Sequence, residues 1–162
     1  MIPTTATIND IALLSSGGVA TGDYEWFKVT GNTSIDSALN VGNRKVILFV
    51  DGNLSINSNI NLTDNLGFLG IFVSGNITVS PTVTSLEGVY LTNGIFNTGS
   101  PSTDQLYVRG SVVAYSGITL ARNGLVDNSI PSEVFEFAPD QILLFPTDKL
   151  GYKTQKWAEV AP

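Results

Sequence analysis

The 162-residue chain contains no cysteine and no histidine. Without cysteine there is no disulfide framework, no thiolate nucleophile and no thiolate metal site. Without histidine the chain lacks the commonest metal ligand and the side chain best suited to proton transfer at neutral pH. Ser–His–Asp and Cys–His catalysis and histidine-based zinc sites are therefore excluded. Charge is scarce as well: 14% of the residues are Asp, Glu, Lys or Arg, against roughly a quarter in ordinary soluble domains. Eight basic residues face fourteen acidic ones, for a net charge of −6. Phosphate binding requires clustered Lys and Arg, so a nucleic-acid partner is not expected. No apolar run approaches the ~18–20 residues of a membrane span, and none is expected in this chain. The start, Met1-Ile2-Pro3-Thr4-Thr5-Ala6-Thr7, lacks the basic region and apolar stretch of a signal peptide. That leaves a cytosolic protein, or the mature or excised part of a longer exported chain. Polarity supplied by Asn, Ser, Thr and Gly favours the second, with an extracellular or cell-surface location.

The length suits a single domain able to bury a core without staples, and 43% of the residues are hydrophobic. Their arrangement is repetitive. Phe49-Val50-Asp51-Gly52-Asn53-Leu54-Ser55-Ile56 recurs as Phe72-Val73-Ser74-Gly75-Asn76-Ile77-Thr78-Val79. Looser copies are Tyr90-Leu91-Thr92-Asn93-Gly94-Ile95, Tyr107-Val108-Arg109-Gly110-Ser111-Val112 and Lys28-Val29-Thr30-Gly31-Asn32-Thr33. Anchors at 31, 52, 75, 93 and 110 give steps of 21, 23, 18 and 17 residues, each the length of one solenoid coil with variable corners. Before the anchor, one parity is aliphatic (Val50, Val73, Leu91, Val108) and the other begins aromatic (Phe49, Phe72, Tyr90, Tyr107). Period two marks strands, and Gly or Asn suits a bend. After the anchor, Leu54, Ile56, Ile77, Val79, Ile95, Val112 and Ala114 are expected to line one interior wall, with the aliphatic set before it lining the next.

A unit of strand, corner and strand cannot cover its own apolar side, but stacked units about 4.8 Å apart share one core. The expected fold is all-β: a single-domain parallel β-helix or solenoid of about five coils. Residues 1–25 form an N-terminal cap, 26–123 the coils, and 124–162 a C-terminal segment that packs back on the solenoid. An antiparallel sandwich also gives many short strands with Gly and Asn turns, but like sequence in like register favours parallel stacking.

Little chemistry is legible. Glycoside hydrolysis needs two carboxylates facing one sugar, and the expected register surrounds Asp51 with Thr30, Ser74, Thr92 and Arg109. Glu87, Asp104 and Asp127 read as solvated corner acids. Asn59, Asn61 and Asp64 share a corner with one carboxylate among them, too few oxygens for calcium. Ser15-Ser16-Gly17-Gly18 lacks the following Gly-Lys of a phosphate loop. Asn53-Leu54-Ser55, Asn61-Leu62-Thr63 and Asn76-Ile77-Thr78 match the glycosylation pattern, as an Asn- and Thr-rich chain does by chance. No catalytic residue, metal ligand or cofactor is expected. The one candidate site is the column Phe49, Phe72, Tyr90 and Tyr107, read either as a stacking platform for glycan rings or as a ladder buried under the tail, whose Phe135, Phe137, Leu143, Leu144, Phe145 and Trp157 supply matching apolar material.

Pro131-Ser132-Glu133-Val134-Phe135, Ala138-Pro139-Asp140 and Trp157-Ala158-Glu159-Val160-Ala161-Pro162, with Val50-Asp51-Gly52-Asn53-Leu54 and Val73-Ser74-Gly75-Asn76-Ile77, resemble a group of surface proteins of very small, uncultured bacteria. The resemblance covers roughly residues 27–162. It implies a β-solenoid that in the group lies downstream of a pilin-like, membrane-inserted N-terminus. The group has Arg before the Pro-Asp and Gln after the Trp, where this chain has Ala138 and Ala158. A looser likeness is to bactofilins, solenoids that polymerise end to end. The expected role is thus a non-catalytic extracellular structural or adhesive module, partnered by itself, by other cell-surface components or by glycan. The alternatives are a self-polymerising filament subunit and a glycan-binding or glycan-cleaving β-helix.

Overall fold

The computed structural model describes residues 6–7, 14, 19–62, 66–123, 129–147 and 149–150, the side chains of Ala6, Thr7 and Thr21 excepted. Successive turns of the chain lie in parallel on one another, forming a β-solenoid of about four turns. The N-terminal strands are β1 (Ala6–Thr7) and β2 (Val19–Thr21). The first coil contains β3 (Tyr24–Thr30), β4 (Thr33–Ile35) and β5 (Leu39–Gly42). The second contains β6 (Lys45–Asp51), β7 (Leu54–Ile56) and β8 (Ile60–Leu62). Next come β9 (Phe68–Val73) and β10 (Ile77–Val79), then β11 (Ser85–Thr92) and β12 (Phe96–Asn97). β13 (Leu106–Ala114) and β14 (Ile118–Thr119) close the fourth turn and begin an incomplete last coil, followed by β15 (Glu133–Glu136) and the short helix α1 (Pro139–Leu143).

The coil has three sides. On the first, β3, β6, β9 and the second halves of β11 and β13 stack in register. On the second, β4, β7, β10, β12 and β14 do so. On the third, β5 and β8 lead into the first halves of β11 and β13 and end at β15. Parallel stacking turns each alternating pattern into columns. The first side sends inward the column Phe27, Leu48, Ile71, Tyr90 and Val112. The second sends in Leu54, Ile77 and Phe96, and the third Ile60, Leu86 and Val108. Fully burying each such side chain contributes about 1.5–3 kcal/mol before chain entropy is subtracted.

The corner between the first and second sides explains the Gly-Asn repeat. Gly31, Gly52, Gly75 and Gly94 stack directly, with Gly75 N–H donating to the Gly52 carbonyl at 2.9 Å and Gly94 N–H to that of Gly75 at 3.0 Å. A Cβ on Gly52 would lie 2.5 Å from the Gly31 carbonyl, and one on Gly75 would lie 2.7 Å from that of Gly52. Glycine is required there by close approach of one coil to the next. Beside this column runs an amide ladder. The Asn32 side-chain oxygen Oδ1 accepts from the backbone N–H of Asn53 at 2.9 Å, Asn53 Oδ1 from Asn76 N–H at 2.8 Å, and Asn76 Oδ1 from Ile95 N–H at 2.8 Å.

That ladder corrects the expected register. Ile95 takes the place of a corner Asn and is exposed, while Phe96 stacks on Ile77 and is fully buried. The third copy is shifted by one residue, so Leu91 lies in register with outward-facing Phe72, and Tyr90 points inward. The fourth copy belongs elsewhere. Tyr107-Val108-Arg109-Gly110 stacks on Ser85-Leu86-Glu87-Gly88 of the third side. In these coils a single strand runs through two sides, kinked only at Gly88 (φ 131°) and Gly110 (φ 144°), so no loop marks the corner. Read along Thr33, Leu54, Ile77, Phe96 and Ile118, the steps are 21, 23, 19 and 22 residues. Val112 and Ala114 accordingly belong to the first side and are half-buried at the end of the stack.

The tail also differs from a purely covering segment. β15 adds a strand to β13, with Leu106 N–H donating to the Ser132 carbonyl at 2.9 Å. Only after α1 does the chain lie across the first side. Trp157, most of the expected N-terminal cap and the acids Asp64 and Asp127 fall outside the described residues.

Candidate functional site

Among the described residues, the outward surface of the first side gathers a cluster of aromatic side chains. Alternation along β3, β6 and β9 places Trp26, Ile47 and Gly70 in one outward column and Lys28, Phe49 and Phe72 in the next. Phe49 and Phe72 stack with centroids 5.3 Å apart and ring planes 27° from parallel; Trp26 lies 6.2 Å from Phe49 at 14°. Phe68 and Val89 join this cluster, and the C-terminal segment covers part of it with Leu144, Phe145 and Leu150. The Phe145 ring meets Phe68 edge-on at 6.1 Å, and the Tyr24 hydroxyl donates to the Leu144 carbonyl at 2.6 Å.

The four aromatic residues expected in one column are therefore divided. Phe49 and Phe72 are neighbours on the outer surface. Tyr90 lies in the core, 6.2 Å from Phe96, with its hydroxyl donating to the Glu87 carbonyl at 3.0 Å. Burial, and secondarily the nearby Glu87 carboxylate, push its phenol far above the ordinary range. Tyr107 is half-buried on the third side, in register with Ser85 and Val134. What separates them is the one-residue shift at Ile95 and the unbroken strand through Gly88, neither of which interrupts the apolar alternation.

Phe49 and Phe72 floor a shallow groove of about 290 Å³ whose rim includes Lys28, Asp51, Ser74 and Asn93. A sugar stacks on a ring face, but here the two rings turn their faces to each other along the stack. Asp51 accepts from the Ser74 hydroxyl at 3.2 Å. Its stacking neighbours are Thr30, Ser74 and Asn93 rather than Thr92 and Arg109, so no second acid stands beside it in that column. Thr92 instead replaces the inward valine, its hydroxyl donating to the Gly75 carbonyl. Glu87 accepts from Leu62 N–H at 2.5 Å. The Asn59 side-chain oxygen accepts from Thr84 N–H at 2.9 Å and Ser85 N–H at 3.2 Å, which occupies one of the oxygens considered for calcium. Among the described residues no three acidic side chains cluster as metal ligands, and no helix is long and apolar enough to cross a membrane.

Two arginine clusters escaped the sequence reading. Arg122 is 5% exposed and donates to three carbonyl oxygens, those of Thr98 at 2.9 Å, Asp104 at 3.0 Å and Ser80 at 3.0 Å. Glu133 accepts from Arg122 N–H at 2.9 Å and from the Thr98 hydroxyl at 2.8 Å. Burial pulls Arg122 below its ordinary value, against the opposing pull of Glu133 and Asp104. At the other corner Arg109 grips Asp140 in α1, while Gln141 donates to the Gly67 carbonyl at 2.9 Å. Both clusters fasten the end of the chain to earlier coils. No spacing rule could have found them, because their partners are backbone carbonyls or residues about thirty positions away.

The fold and this surface define a parallel β-solenoid whose outward aromatic and polar ladders largely bind coil to coil. Compared with family models, curated proteins and solved structures, the chain matches none.

Proposed function

We propose that this chain is a non-catalytic structural or adhesive module of the cell surface. The observation that supports the reading is the commitment of its polar and aromatic side chains to stacking. The Asn32–Asn53–Asn76 ladder, the Phe49–Phe72 pair and the buried Arg122 all spend their interactions on neighbouring coils. A rod held this way presents a rigid, low-charge surface, which suits a spacer or contact element. The scarcity of charge and the resemblance to surface solenoids support the extracellular setting. Partners in this reading are other cell-surface components or glycans, met through the flanks of the rod.

The test immobilises the chain on beads and measures their retention on a panel of glycans and on cell-envelope preparations, alongside reducing-sugar release from uronate polymers. Retention without sugar release is expected. Sugar release by purified protein would overturn the non-catalytic reading, and absence of retention on every surface would overturn the adhesive one.

A further inference from the structure

Among the described residues, nine of the eleven exposed large hydrophobic side chains lie at or after Val113. Five of them, Val113, Ile118, Leu120, Phe135 and Phe137, line one groove of about 660 Å³. The groove exists because β15 pairs only with Leu106–Arg109. Beyond that, Gly110–Ala114 of β13 has β11 on one side and no described strand on the other. β14 likewise ends its sheet. Among the described residues the interior columns stop there, at half-buried Val112 and Ala114 and at Ile118, which is 45% exposed.

Open strand edges are ordinarily defended by charge, proline or a covering segment. From Gly110 to Leu120 the chain has no charged residue and no proline. The opposite end of the stack differs: its first coil carries Asp23, Glu25, Lys28 and Asp36, and β1 already pairs onto β3.

We propose that the C-terminal edge is a homodimer interface in which two copies join tail to tail about a two-fold axis. β13 of one copy pairs antiparallel with β13 of its partner, centred on Val112, and the two apolar grooves close on each other. A second copy is the fitting occupant for three reasons. The unfinished surface continues the coil-to-coil interface seen throughout the chain, so it is completed by another β-coil of the same cross-section. An uncharged strand pairs with itself without like-charge repulsion. A head-to-tail arrangement would have to displace β1, whereas a two-fold one displaces no described strand and closes after one contact. The net charge of −6 on each copy opposes association, so screening by salt strengthens it. This inference stands independently of the adhesive reading.

The absence of cysteine makes the test clean. In the full chain, Val112→Cys places two thiols across the axis, within the Cα separation a disulfide accepts, and Asn40→Cys puts one at the far end as control. Mild oxidation is expected to give a covalent dimer through position 112 and none through position 40. Sedimentation velocity of the unmodified chain is expected to show a dimer that strengthens with salt, and Val113→Lys to give a monomer that still melts cooperatively, at a temperature that no longer depends on protein concentration. A chain that stays monomeric at high concentration and high salt would overturn the proposal. So would filaments that grow without limit, or a dimer that survives Val113→Lys and does not cross-link through position 112.

Discussion

The guanidinium of Arg109 reaches both carboxylate oxygens of Asp140, at 2.8 and 3.2 Å, and ties β13 to the helix that begins the covering segment. Burial raises the Asp140 pKa, but hydrogen bonds from Arg109 and Gln141 outweigh it and hold the carboxyl below its ordinary value. A carboxyl lowered by folding stabilises the native state above its unfolded pKa, and that contribution disappears as pH falls through the folded value. The tail should therefore loosen on acidification below the ordinary carboxylate range. Arg109→Met should weaken the Asp140 share of this dependence, leaving only the Gln141 and backbone hydrogen bonds against burial, and lower stability by about 1–3 kcal/mol at neutral pH, as expected for a charged hydrogen-bonded pair. Melting curves at a series of pH values check both; an acid limb identical in the variant would show that Asp140 contributes nothing.

The register through Ile95 and Phe96 is tested by paired truncations. Phe96 is fully buried on Ile77, and Phe96→Ala should cost about 3–5 kcal/mol. Ile95 is 40% exposed, and Ile95→Ala should change stability by no more than about 0.5 kcal/mol. Denaturant midpoints decide, and the reverse ranking would restore the register with Ile95 inside. Ile77→Asp should prevent folding in either case, since it buries an unpaired charge.

At the stacked corner, Gly75→Ala and Gly22→Ala separate two demands on glycine. Gly22 has φ 64° and open space around it, so alanine there meets only backbone strain, about 1 kcal/mol. Gly75 lacks that φ, but its added Cβ would strike the Gly52 carbonyl and the Asn53 amide in the coil beneath. Gly75→Ala should lower the melting temperature well beyond Gly22→Ala. Equal losses would mean that the coils can part at little cost.

Arg122 is the cation whose removal should cost most. Arg122→Met would take the guanidinium donors from the carbonyl oxygens of Thr98, Ser80 and Asp104, of which Ser80 keeps Val83 N–H at 3.1 Å and Asp104 keeps the Ser102 hydroxyl at 3.4 Å, so the loss of about 1–3 kcal/mol falls mainly at Thr98. Arg122→Lys should recover little, because a single ammonium head cannot span the three acceptors as the guanidinium fork does. Full rescue by lysine, measured by chemical denaturation, would reduce the cluster to a simple positive charge.

Deleting residues 131–162 should uncover Phe68 and Ile47 and leave Trp26, which is fully buried, open to water. The truncated protein is expected to aggregate, or to shift its tryptophan emission to the red relative to an intact Trp157→Phe chain, in which Trp26 alone emits. A soluble product with the emission of buried indole would show that the tail covers nothing that matters to the core.

Much of this protein was settled by its sequence. Absent Cys and His removed whole classes of chemistry before any fold was considered. The exact recurrence of Val-x-Gly-Asn-aliphatic at 50–54 and 73–77 required two coils in register, because only parallel stacking brings like residues together. What the sequence could not decide was phase wherever the repeat wore thin. Period two reads Leu91 or Tyr90 as inward with equal ease, and a one-residue slip exchanges the faces. Burial made the choice, since Tyr90 and Phe96 together fill an interior that Leu91 and Ile95 would leave short. The corners at Gly88 and Gly110 were hidden for a similar reason: a continuous strand bends there with no turn residues to announce it. The placements of Arg109, Arg122 and Gln141 depend on partners brought near only by the coiling itself. These are long-range contacts, and the alternation that reveals a strand carries no record of which strand will lie beside it.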